Sequence, residues 1–221
     1  MADHTYKPSE VPKGQRFQYF LDYYKWPFII TIILVIGVVS FLKSTVFRPK
    51  TDVPILVTSS IYVSHEIWNA ATESMASMPL DFDEDGKSLA TINYIYYDKA
   101  MEKTDLQNFL ALQTKLAGSL AAAESALQIL DEETFLFFNE QELLGTYSEL
   151  PDTFGHAADE LIKIPLKELA PFNTINDLPD GLYITLRPKN AMQIGNSKKK
   201  LAFFEHQVEA LMQMIADNPN N

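Results

Sequence analysis

The sequence predicts an α/β protein in which an N-terminal transmembrane helix precedes a single, mostly parallel sheet flanked by helices. Three observations carry this expectation. From Trp26 to Leu42 the chain reads WPFIITIILVIGVVSFL, 17 residues without a charge. After residue 53, short β-rich runs alternate with segments of helical periodicity, the pattern of βαβ units. The charge is also divided: residues 1–50 carry +4 and residues 51–221 carry −15, within a net charge of −11.

The apolar run sets the domain organisation. A hydrocarbon core of about 30 Å takes roughly 20 apolar residues, with about 17 as the lower limit. Lys25 and Lys43 bound the run, and Tyr19, Tyr23, Tyr24 and Trp26 crowd its front edge, where amphipathic rings favour the membrane interface. A buried core helix is one alternative, but such a helix rarely lacks polar positions all round. A cleaved signal peptide is the other; its apolar core is shorter, about 7–15 residues, and small residues follow it. Here KSTVFRPK follows. Residues 1–25 therefore read as a cytoplasmic tail, 26–47 as the span, 48–52 as a linker and 53–221 as an extracytoplasmic α/β domain. Lys13, Arg16 and Lys25 on one side balance Lys43, Arg48 and Lys50 on the other, so the positive-inside rule is tied. The orientation, N-terminus cytoplasmic and domain outside, rests on a short tail preceding a large domain. The chain has no cysteine, which excludes a thiol nucleophile and a zinc–thiolate site.

Each element of the domain has a local reason. Val53–Thr58 is β-rich and starts the sheet. Ser64 caps a helix from His65 to Met78, with Ile67, Trp68, Ala71 and Met75 at helical spacing, and Pro79 closes it. Residues Asp81 to Lys87 form a turn before the second strand, Leu89–Tyr97, rich in β-branched and aromatic residues. Thr104 caps a long helix carrying Leu106, Phe109, Leu112, Leu116 and Leu120, which the Ala121–Ala123 run ends. Ala126–Leu130 is nearly all apolar, as in a strand covered on both faces. Asp131 caps the helix after it, a proline-punctuated segment follows, Leu182–Leu186 is a late strand, and Lys199–Ile215 a final amphipathic helix.

Chemistry-bearing motifs are few. The sequence shows no nucleophile elbow, Walker loop, HExxH or dinucleotide glycine fingerprint, and His4, His65, His156 and His206 are scattered. Asp81-Phe82-Asp83-Glu84-Asp85-Gly86 matches the opening of a calcium loop, which makes Asp81, Asp83 and Asp85 weak candidate metal ligands. The twelfth position is Ile92 where a bidentate Glu belongs, so an acidic turn with Gly86 at positive φ is the favoured reading. Asp131-Glu132-Glu133 reads as helix capping rather than catalysis. Lys198–Lys200 is too short a basic patch to argue for nucleic acid.

The succession PILVTSSIY, helix, DEDGKSLATINYIYYD, helix, ESALQILDEETFLFF, DGLYITLRP behind an anchor resembles a group of clostridial (Firmicutes) single-pass membrane proteins. Their outer domain is similar to one lobe of extracellular solute-binding proteins. Asp85-Gly86-Lys87 matches the group's DGK turn, Ala126–Phe135 echoes its "aDiiILDee.f" phrase, and Gly145–Asp152 echoes a later "dLselld" phrase. The resemblance implies a one-lobe fold, a ligand cleft without a second wall, and no assigned activity. The expected function is a membrane-anchored extracytoplasmic binding or interaction module without catalytic activity. The alternatives are an accessory subunit of a membrane complex and a cell-surface hydrolase. Membrane and protein partners are expected. Nucleic acid, a small-molecule ligand and a cofactor are not, calcium apart.

Overall fold

The computed structural model describes residues 16–45 and 50–217, with the side chains of the first helix described from residue 26 to 41. The chain divides into two units, Met1–Pro49 and Lys50–Asn221.

The first unit contains α1, Arg16–Thr45, 30 residues with Pro27 inside it. The Thr31 hydroxyl donates back to the Pro27 carbonyl at 2.8 Å. The helix begins ten residues before the expected span, so part of the expected tail is helical; residues 1–15 and the end of the expected span, 46–47, lie outside the described residues. Every described side chain from Trp26 to Phe41 is exposed, with Trp26 at 67% and Phe41 at 65%. Among the described residues no helix is long and apolar enough to cross a membrane. The described side chains cover about 24 Å of rise at 1.5 Å per residue, short of a hydrocarbon core of about 30 Å.

The second unit is a five-stranded mixed sheet in the order β2-β1-β3-β5-β4. Its strands are β1 Val53–Ser59, β2 Ala90–Tyr96, β3 Leu127–Asp131, β4 Ile164–Pro165 and β5 Leu182–Leu186. The pairs β1–β2 and β1–β3 are parallel, while β5 pairs antiparallel with both β3 and β4. Four strands thus share one direction and β5 alone is reversed. This corrects the expectation of a mostly parallel sheet to a mixed one. The chain reaches β5 from β4 through residues 166–181, which carry only short 3-10 turns, and returns beside β4 in the antiparallel sense. A buried apolar strand also reads the same from either end.

The helices are α2 His65–Met75, α3 Met101–Thr104, α4 Leu106–Ala122, α5 Glu132–Glu140 and α6 Lys198–Ala216. Helix α2 stops three residues before the expected Met78, in a turn where Ser77 N donates to Ser74 O. The cap of α4 is Asp105, which accepts from Asn108 N at 3.2 Å, and Thr104 lies inside the preceding short helix. Ala123 ends α4 in the left-handed region at φ 51.

Helices α2 and α6 cover one face of the sheet, burying Trp68, Met75, Phe204, Leu211 and Met214 against Ile55, Ile129 and Ile184. Helices α4 and α5 cover the other, with Phe109, Leu116, Phe135 and Phe138 against Leu56, Ile95 and Leu130. Because β1→β2 and β2→β3 run in opposite directions across the sheet, their helices α2 and α4 fall on opposite faces. Buried Arg187 donates to the Leu120 carbonyl at 3.2 Å and the Ala191 carbonyl at 3.0 Å. Its positive charge meets the negative C-terminal end of α4, and burial lowers its pKa from the ordinary value.

Gly145 joins α5's exit to β5. Its N–H donates to Leu186 O at 2.6 Å, and an added Cβ would lie 2.9 Å from that oxygen. The Gly145→Ala variant should therefore lose about 1–3 kcal/mol, seen as a melting temperature lower by roughly 2–4 °C per kcal/mol. A rise in thermal unfolding temperature, as relief of unfolded-state entropy alone produces, would show that the approach is not tight.

Candidate functional site at the switch point of the sheet

In open α/β sheets ligands gather outside the carboxyl ends of the strands, where the strand order reverses. Here that point lies between β1 and β3. The end of β1 is Thr58-Ser59-Ser60 and the end of β3 is Asp131. The structure brings these segments together.

The Asp131 carboxylate, 3% exposed, is the centre of the cluster. Its Oδ2 accepts from Ser59 Oγ at 3.1 Å, Ser60 N at 2.6 Å and Ser60 Oγ at 2.6 Å. Its Oδ1 accepts from Thr134 N at 2.8 Å and lies 2.7 Å from Thr134 Oγ1. Thr134 Oγ1 also accepts from Asp131 N at 3.0 Å, which completes a capping box at the start of α5, and reaches Thr58 O at 2.8 Å. Two oxygens offer about four lone-pair sites; Ser59 Oγ, Ser60 N, Ser60 Oγ and Thr134 N donate to them, and the Thr134 hydroxyl has one proton to give either to Oδ1 or to Thr58 O. Burial pushes the Asp131 carboxyl up, but hydrogen bonds from Ser60 and Thr134 outweigh it and hold the pKa below its ordinary value of 3.8. The group stays ionised, and it fastens β1 to β3 and α5.

Around this cluster stand more accessible groups. Tyr94 donates from its hydroxyl to Ile61 O at 3.0 Å, and burial is the main cause of a pKa pushed up to about 12. Lys163 Nζ bonds both Glu132 oxygens, at 2.9 and 2.7 Å, and sits over the rings of Phe135 and Tyr183. That ion pair is solvent-exposed and contributes about 0–1 kcal/mol. A groove of about 990 Å³ lies elsewhere, between α6 and the loop carrying Leu150 and Phe154.

The acidic turn is arranged differently from a calcium loop. Asp81 accepts from Asp85 N and Gly86 N, Asp83 from Asp85 N, and Asp85 from Lys87 N. Gly86 holds φ 82, as the turn reading requires. Asp85 does not join Asp81 and Asp83. The third carboxylate near them is Asp52, buried at the start of β1, and one oxygen from each of Asp52, Asp81 and Asp83 lies within 4.8 Å of the others. Asp52 spends its two oxygens on Phe82 N and Leu89 N, both at 2.9 Å, and so pins the turn to the sheet. Its place, just before a strand and far from the DxDxDG run, gave no sign of this in the sequence. With one donor on each oxygen Asp52 keeps lone pairs free, so the three residues could hold a cation.

The chain matches no protein-family model, no curated protein and no solved structure.

Two outcomes follow from these bonds. Since the folded pKa of Asp131 lies below the unfolded one, its stabilisation is complete above the unfolded value and is lost as pH falls through the folded value. Denaturant unfolding of Asp131→Asn should show a loss of about 1.5–3 kcal/mol at neutral pH and a shallower decline below about pH 4. An acid limb identical to that of the unmodified chain would remove Asp131 from this role. For the turn, calcium at twice a millimolar Kd would add only about 0.65 kcal/mol. The melting temperature should then rise by less than about 3 °C. A larger rise, abolished by Asp83→Ala, would make the turn a calcium site.

Proposed function

We propose that this protein is a membrane-anchored binding or interaction module without catalytic activity. In this reading α1 is the single anchor, with the N-terminus cytoplasmic and residues 53–221 outside. The observation that carries the anchor is the exposed apolar sheath of α1. Ile30, Ile33, Leu34, Ile36 and Phe41 are each more than half exposed, and contiguous apolar surface of this kind marks a lipid or protein contact. The uncharged run continues to Leu42 in the sequence, between Lys25 and Lys43. The strongly acidic outer unit favours solubility and disfavours phosphate backbones and anionic lipid headgroups.

The likeness of the outer unit to one lobe of a solute-binding protein belongs to the same proposal. Its support is the parallel β2-β1-β3 core with helices on both faces. At the switch point, where such a lobe would meet a ligand, Ser59, Ser60, Thr134 and Asp131 bond one another. This favours a protein partner over a small molecule. The second reading, an accessory subunit of a membrane complex, is favoured by the same sheath of α1, which neighbouring helices could cover as well as lipid.

The full-length chain should sediment with membranes and resist carbonate extraction, and protease added to intact cells should digest residues 53–221. Recovery in the soluble fraction would end the anchor reading, and protection until lysis would reverse the orientation. Co-purification in mild detergent separates the two functional readings: a stoichiometric membrane partner makes the chain a subunit, and its absence leaves the lone module.

A further inference from the structure

Among the described residues strand β2 is the last strand on its side of the sheet and pairs only with β1. In a parallel ladder successive residues turn their backbone groups to opposite sides. Leu89 O accepts from Val53 N at 3.1 Å and Tyr97 N donates to Ser59 O at 2.9 Å. Those two bonds place the odd-numbered residues of β2 toward β1. The N–H and C=O groups of Ala90, Ile92, Tyr94 and Tyr96 therefore point off the sheet. Tyr94 O receives Lys115 Nζ at 3.3 Å; among the described residues the other outward groups have no partner. An edge with unpaired backbone groups is a template for another extended chain.

Beside this edge a groove of about 400 Å³ runs between β2 and α2. Trp68, Asn69 and Thr72 form one wall; Ala90, Ile92 and Tyr94 form the other. Thr91 also lines it, although its side chain belongs to the opposite face of the sheet. The groove thus opens onto the strand's edge. Trp68 is 4% exposed and its indole N–H has no acceptor among the described residues, an unused donor in the groove wall. The strand enters from the turn Asp83-Glu84-Asp85, three exposed carboxylates against the single Lys87. That end suits a positively charged residue.

We propose that the free edge of β2 docks an extended segment of a partner protein, which adds to the sheet as a sixth strand. The segment pairs its backbone with Ala90, Ile92 and Tyr94, lays alternate side chains in the groove beside α2, and carries a basic residue toward the acidic turn. This is strand addition, in which main-chain bonds supply affinity and the pockets supply selectivity. The inference rests on the interaction-module reading and specifies its contact surface. Lys115 guards one end of the edge, as lysines on edge strands do.

The test uses the full-length chain in detergent and a fluorescein-labelled probe peptide, Lys-Thr-Val-Thr-Val-Thr-Val. Fluorescence polarisation should give saturable binding with Kd below about 1 mM. Ile92→Pro removes an outward N–H and leaves the bonds to β1, since proline is tolerated at an edge; it should weaken binding at least tenfold. Ile92→Thr, which keeps that N–H, should weaken it less, and Lys115→Ala should strengthen it. Backbone N-methylation of alternate probe residues should abolish binding, and replacing its lysine with glutamate should weaken it. Should Ile92→Pro fail to fold, hydrogen exchange on the unmodified chain still decides, because the probe must slow exchange at Ile92 and Tyr94. No binding, equal binding by the N-methylated probe, or unchanged exchange would overturn the proposal. So would concentration-dependent pairing of β2 edges between two copies, which makes the occupant this chain itself. None of these outcomes touches the anchor, which carbonate extraction decides separately.

Discussion

The structure depends most on one carboxylate. Asp131 stands where β3 ends and α5 begins, and five donors from β1's exit and α5's first turn lie within reach of its two oxygens. Hydrogen bonds to a charged acceptor are the stronger kind, with net contributions of about 1.5–3 kcal/mol. They hold together the carboxyl ends of the two central strands, which a parallel arrangement leaves without direct turns between them. The start of α5 and the link between the exit of β1 and the end of β3 rest on that junction. At the opposite end of β1, Asp52 does similar work by accepting from Phe82 and Leu89. Buried acids in this unit are fasteners.

That economy shapes function. The carboxylate at the switch point is bonded by its own fold. Open surface among the described residues includes the backbone edge of β2, the groove between α6 and the loop carrying Leu150 and Phe154, and the apolar side chains of α1. In the proposed reading the β2 edge suits an extended chain and α1 an apolar medium.

Reversal of β5 has a structural return. Placed between β3 and β4, it lets the long segment after α5 come back to the sheet without a helical crossover. Gly145 allows that segment's backbone to close on Leu186, and Arg187 at the end of β5 satisfies carbonyls of α4 and of the turn after β5. Buried and without a carboxylate partner among the described residues, Arg187 has the C-terminal end of a helix as its counter-charge.

Much of the second unit was legible in the sequence because local causes set it. Alternating β-rich and helical runs placed β1, β2, β3 and β5 within a residue or two, and Asp131 was recognisable as a cap because a short polar side chain there precedes a helix. The positive φ of Gly86 in the acidic turn was legible too, whereas that of Glu84 was not. Tertiary structure alone decided the direction of β5, the two-residue strand β4, and the partners of Asp52 and Asp131. Strand direction leaves no mark on a pattern of buried residues. Bonds between positions 71 or 37 residues apart depend on where the sheet brings their backbones, which no local spacing encodes.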